Sequence, residues 1–123
     1  MPLAAILRKH RESIIKAWVE KLHTSVSERY GSRPREELFR TVAGANDASF
    51  AVLVNNDYSL IDAHIEWITG LRLQGGFALS EVQHAYELYR TLVMPILIEE
   101  LTPSELPSAL TRLNHCLFYT ITR

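Results

Sequence analysis

The stretch from Arg72 to Gln83, RLQGGFALSEVQ, sets two adjacent glycines between two helical patterns. Gly75 or Gly76 can take the left-handed conformation just past a helix end, and Phe77 can fold back onto the last turn as in a Schellman cap. Ser80 with Gln83 fits a capping box for the next helix, with Leu79 placed to staple onto a residue one turn on. A phosphate-binding loop needs exposed amides at a helix N-terminus. These glycines follow a helix C-terminus, where carbonyls repel anions. The stretch therefore reads as a corner between helices, and the rest of the chain can be parsed outward from it.

Upstream, Ile61, Ile65, Ile68 and Arg72 form one stripe of a helix that follows the stop and N-cap signal Asn55-Asn56-Asp57. Before it, a helix from about Arg35 to Val54 presents Leu38, Val42, Ala45, Ser49 and Val52/Leu53 on one face. Its small residues, Ala43-Gly44-Ala45 and Ala48-Ser49, permit close approach by a neighbour. The first predicted helix covers roughly residues 3 to 30, with a break near 10, and carries Ile14, Ile15, Trp18, Val19, Leu22 and Val26. Gly31 and Pro34 end it.

Downstream, a helix from Ser80 points Val82, Tyr86, Tyr89, Val93 and Ile96/Leu97 inward, and Pro95 predicts a bend near its end because a ladder hydrogen bond is lost there. Thr102-Pro-Ser-Glu105 combines an N-cap, a first-turn proline and a capping glutamate, so a last helix begins there with the stripe Leu106, Leu110, Leu113, Leu117 and Ile121. No strand-like alternation is sustained. The expected fold is all-α, a single-domain bundle of about five helices.

The charge balance limits the partners. Thirteen Lys and Arg against fourteen Asp and Glu leave a net charge of −1, which gives no bulk attraction to nucleic acid or an anionic membrane. The Arg8-Lys9-His10-Arg11 cluster reads as a solvated face. Cys116 is the single cysteine, which excludes an internal disulfide and suits a cytoplasmic setting. No apolar run approaches the ~20 residues of a membrane span, and the N-terminal apolar-then-basic order is the reverse of a signal peptide's.

Glu20-x-x-His23 and Glu81-x-x-His84 have the spacing of di-iron carboxylate bundles, but both pairs mostly face away from their helices' apolar stripes. Glu37 and Glu66, the available single carboxylates, lie off their stripes as well. No metal site or cofactor is expected. His64 flanks the apolar stripe of its helix, where it could ligate haem or rest at the core edge. His115 and Cys116 point about 100° apart on a helix and cannot pair as base and nucleophile. With no hydrolase, Walker or dinucleotide motif either, the domain is not expected to be an enzyme.

Arg72 ends an apolar stripe, so its guanidinium needs a carbonyl, a carboxylate or a bound anion. Helix capping and ligand contact both satisfy that need. Tyr86, Tyr89 and Trp67 could line a small pocket beside it or serve as plain core, with His64 as a further wall. Phe118 and Tyr119 lie off the stripe of the last helix, which ends without a stop signal. They are expected to meet a partner, with the chain forming the N-terminal piece of a longer protein.

Ile15 and Trp18, the Tyr30-Gly31 end, Asp57, and the phrase Arg72-x-x-Gly75-Gly-Phe77-x-Leu79-Ser-Glu-Val82 followed by Ala85, Tyr86 and Arg90 form a pattern. It resembles the RsbRD N-terminal domain family, input modules of bacterial stressosome co-antagonists and of some sensor histidine kinases. The resemblance implies a non-catalytic, globin-like helical domain without haem that forms a homodimer. It further implies that a signal passes by helix repacking to a C-terminal kinase or STAS output domain. It brings no ligand and no catalytic residue. The alternative is a globin-like sensor domain that binds haem or another small ligand.

Overall fold

The computed structural model describes residues 2–122. Its described residues are mostly helical, with no strand, and form seven α-helices rather than five. The class is the expected one, and the two additional helices arise where the predicted first helix breaks into pieces. α1 (Leu3–Lys9) stops at His10, α2 (Arg11–Lys21) runs into a π-helical turn over Leu22–Val26, and α3 (Glu28–Gly31) restarts after Ser27. The second break follows from local chemistry. Thr24 donates its hydroxyl to the Glu20 carbonyl at 2.7 Å, a side-chain bond that distorts helices. Ser27 is fully extended, and its hydroxyl accepts the Tyr30 N–H at 3.4 Å.

α4 (Arg35–Asn55) buries Leu38, Val42, Ala45, Ser49, Val52 and Leu53, the face the periodicity marks. Glu36 and Glu37 in its first turn complement the helix dipole, and Asn56 in the left-handed conformation closes it. α5 (Ser59–Gln74) begins where Asp57 accepts hydrogen bonds from the backbone N–H and hydroxyl of Ser59. It buries Ile61, Ile68 and Arg72.

The corner then forms as a Schellman motif. Gly76 (φ +83°) donates to the Leu73 carbonyl at 3.1 Å and Phe77 donates to the Arg72 carbonyl at 3.0 Å. The next helix, α6 (Leu79–Glu100), starts one residue earlier than Ser80, and its cap differs from the expected one. Glu81, not Gln83, reaches back and accepts the Ala78 N–H at 2.8 Å. Gln83 instead donates to the Ile121 carbonyl, and Leu79 is exposed rather than stapled. A glutamate three residues after Ala78 outcompetes the Ser-Gln pair because its ionised carboxylate makes a stronger bond to the free N–H.

α7 (Leu106–Thr122) follows a turn in which Glu105 accepts from both the N–H and the hydroxyl of Thr102. Its buried residues are Ala109, Leu113, Cys116, Leu117 and Thr120, a stripe rotated from the expected one so that Leu106, Leu110 and Ile121 are only half-buried. Small residues face inward because α7 packs closely against α6 and α4.

α4 packs against α1, α2, α5 and α7, while α6 packs against α1, α2, α5 and α7. Trp18 on α2 ties into this core by donating its indole N–H to the Ala85 carbonyl of α6 at 2.9 Å. The basic cluster at the α1–α2 junction is more than a solvated face. Arg8 lies over the Phe50 ring, Arg11 holds both carboxylate oxygens of Asp47 at 2.9 Å, and Lys9 and His10 both bond Glu100.

Candidate functional site

Arg72, in the last turn of α5, is 2% exposed. The stripe of α5 that carries Ile61 and Ile68 into the core carries the guanidinium in as well. One terminal nitrogen, Nη1, donates to Glu37 at 3.3 Å and the other, Nη2, to the Thr41 hydroxyl at 3.4 Å. Glu37 and Thr41 stand one turn apart on α4, so one helix face supplies both acceptors. The Arg72 guanidinium carbon also lies 5.3 Å from the Tyr30 ring centre and 5.2 Å from that of Phe77, within cation–π range. Tyr30 and Phe77 meet edge to face at 4.7 Å. The Schellman corner therefore places one aromatic wall over Arg72, and α3 places the other.

Arg33 shares Glu37, bonding it at 2.5 Å from the protein surface. Arg33 and then Arg72 hold the Glu37 carboxyl below the usual carboxylate range. One carboxylate thus serves two guanidiniums, and the trio keeps one positive charge.

Beside Arg72 lies a small cavity with about 30 Å³ of room for the centres of water-sized spheres. Its walls are Trp18, Tyr30, Thr41, His64, Arg72 and Tyr86, with Leu22, Val42, Ala45, Ile68, Val82 and Ala85 completing it. Among the described residues, two buried side-chain polar atoms have no hydrogen-bond partner: Arg72 Nε and the Tyr86 hydroxyl. Both belong to cavity walls. Burial pushes the Tyr86 hydroxyl pKa well above its ordinary value, and that of Tyr30 up to about 12 despite the nearby Arg72 charge. Both phenols are neutral donors at neutral pH.

His64 is half-buried, and its ring meets Tyr86 edge to face at 6.2 Å. It also rests on the bare backbone of α4: a Cβ on Gly44 would stand 3.2 Å from His64 Nδ1. The small residues in α4 thus admit the neighbouring helix at this level. Burial lowers the His64 pKa to about 4, so the ring is neutral at pH 7.

Of the sequence-derived candidates, the structure gathers Arg72, Tyr86 and His64 around one cavity and leaves two elsewhere. Trp67 is 49% exposed and touches the site only through its edge contact with His64. Tyr89 is buried in the core against Trp18 at 5.3 Å and does not reach the cavity. Tyr30, Glu37, Thr41 and Phe77, the partners of Arg72, come from three other segments. Helical periodicity within one segment cannot reveal them. Phe118 is 71% exposed on α7. Tyr119, by contrast, turns inward, packing edge to face on Tyr58 at 4.5 Å and donating its hydroxyl to Asp62.

Room for about two or three non-hydrogen atoms beside His64 is far too small for a porphyrin. Glu20 pairs with Arg35, Glu81 caps α6 and His84 is exposed. Among the described residues no group of three His, Cys, Asp or Glu side chains is placed to hold a metal ion. None of the described helices is long and apolar enough to cross a membrane.

The family described as the RsbT co-antagonist protein rsbRD N-terminal domain matches residues 12–121. No curated protein and no solved structure matches the chain. With nearly its whole length covered, the chain belongs to the rsbRD N-terminal domain family.

Proposed function

From that membership, we propose that the chain is a non-catalytic regulatory input domain of a bacterial signalling protein. It works in the cytoplasm as a homodimer and biases a kinase or STAS-type output domain through helix repacking. The family match over residues 12–121 carries this reading. A second observation supports the dimer. The outer surface of α6 and α7 exposes Ile98 (55%) and Phe118 (71%), and Arg90 borders both of the grooves in which they lie. Two helices with apolar side chains on an outer face suit a helix-on-helix contact between copies.

Sedimentation of the chain from low micromolar to submillimolar concentration tests it. A concentration-dependent dimer is expected, with Phe118→Glu shifting the population to monomer while leaving helicity unchanged. A strict monomer throughout that range overturns the dimer mechanism.

A further inference from the structure

We infer that the cavity beside Arg72 is a binding site for a small, planar, monovalent oxoanion, of which formate is the smallest example. Three independent features point to it. The first is polarity: Arg72 Nε and the Tyr86 hydroxyl are the two buried side-chain atoms without protein partners, and both residues line this cavity. Arg72 is 2% exposed and Tyr86 7%. Unpartnered donors at that depth are costly unless something accepts from them.

The second feature is charge. Glu37 is shared by Arg33 and Arg72, and Tyr86, Tyr30, Thr41 and His64 add no charge to the cavity wall at neutral pH. Glu37 is the counter-charge of Arg72, but it is divided with the exposed Arg33 and lies 3.3 Å from the buried guanidinium. Water would satisfy the two donors, whereas a monovalent anion would satisfy them with charge-assisted bonds to a guanidinium whose one carboxylate is shared.

The third feature is size. About 30 Å³ of room for atom centres corresponds to about two or three water-sized positions. That room suits a three- or four-atom oxoanion such as formate, nitrate or bicarbonate. The guanidinium Nε–H would bond one oxygen and the Tyr86 O–H another, while Tyr30 and Phe77 hold the guanidinium plane in place.

Binding rests on the cavity alone. Only its role as a signal depends on the input-domain reading. The test is an NMR titration of the whole chain, following the Arg72 Nε–Hε resonance, with sodium formate, sodium nitrate and sodium bicarbonate against sodium chloride at constant ionic strength. A saturable shift with the oxoanions and none with chloride is expected, and Tyr86→Phe should weaken it about tenfold. No shift with any anion means that the cavity holds water only and overturns the proposal. An equal shift with chloride overturns the oxoanion class, and full affinity in Tyr86→Phe overturns the assigned geometry. Saturable binding to a strict monomer would leave the site standing and remove the dimer mechanism, whereas an intact dimer with no binding would remove the site alone.

Discussion

Removing the charge of Glu37 should destabilise the domain more than removing Arg72 itself. In Glu37→Gln the 2%-exposed Arg72 guanidinium loses its only counter-charge and keeps only Thr41 and two aromatic faces. At the observed 3.3 Å the pair attraction is about 5 kcal/mol at an effective dielectric of about 20, an upper bound. Breaking one side of a buried pair typically costs about 3–5 kcal/mol. Because glutamine keeps an acceptor and the Glu37 side chain is 11% exposed, the low end applies, about 3 kcal/mol. In Arg72→Met the remaining carboxylate still has Arg33 at the surface. The thioether fills much of the vacated volume against Tyr30 and Phe77, so the loss should be about 1.5 kcal/mol or less. Urea unfolding at pH 7 measures both, and the difference should also appear as a Tm gap of several degrees. The double variant should be no less stable than Glu37→Gln alone. If Arg72→Met proves costlier than Glu37→Gln, the aromatic clamp rather than the ion pair holds the corner, and the reasoning fails.

Stability should fall with acid through His64. Its folded pKa of about 4 lies below the unfolded value of 6.5, so the unfolded chain takes up the proton first. This contribution is complete above pH 6.5 and is lost as the pH falls toward 4, by about 3 kcal/mol at most; His64→Gln should flatten the unfolding free energy between pH 6.5 and 5, and an unchanged slope would place the ring in water. Gly76→Ala should cost about 1–2 kcal/mol for holding an alanine at φ +83°, whereas Gly75→Ala, at φ −79° with its nearest contact at 3.4 Å, should be close to neutral in the same thermal melts. Cys116, 1% exposed and with its thiol pKa raised by burial, should react with a thiol reagent only as fast as α7 opens; prompt labelling in native buffer would contradict the packing.

Sequence pattern and structure agree along the middle helices, whereas the stripe of α7 is rotated from the one its leucines mark. The stripes of α4, α5 and α6 emerge at the expected residues, and the double glycine makes the corner its residue types suggest. Disagreements begin where neighbouring signals compete. Glu81 and Gln83 both offer a cap within three residues, and the ionised side chain takes the Ala78 N–H. Leu22 to Val26 has helical spacing, yet Thr24 and Ser27 bond the backbone locally and divide the segment. Trp67, expected beside Arg72 as a pocket wall, lies half-exposed on α5 and meets the site only through the edge of His64. The partners of Arg72 were illegible for a different reason. An arginine closing an apolar stripe announces that it needs acceptors, but which helix provides them depends on tertiary packing.

The same residues serve the turn and the site, which constrains how a change in the cavity can be felt elsewhere. Phe77 closes the Schellman corner and covers Arg72, so repositioning the guanidinium loads the α5–α6 junction directly. Tyr86 contributes the other unpartnered donor from α6, adjacent to Ala85, whose carbonyl accepts from Trp18. From Tyr86 to exposed Ile98 is twelve residues along the same helix, about 18 Å at 1.5 Å per residue. Pro95 interrupts the hydrogen-bond ladder of α6 three residues before Ile98. If the domain is an input module, α6 is therefore the element with one end at the cavity and the other at the apolar outer face. An occupant that shifts Tyr86 by a fraction of an ångström acts on a helix already tied to α2 on one side and to α7 on the other. The physical requirement for a signal is then modest: two packings of α6 against α7 that differ in how they present Ile98 and Phe118, with the cavity favouring one of them.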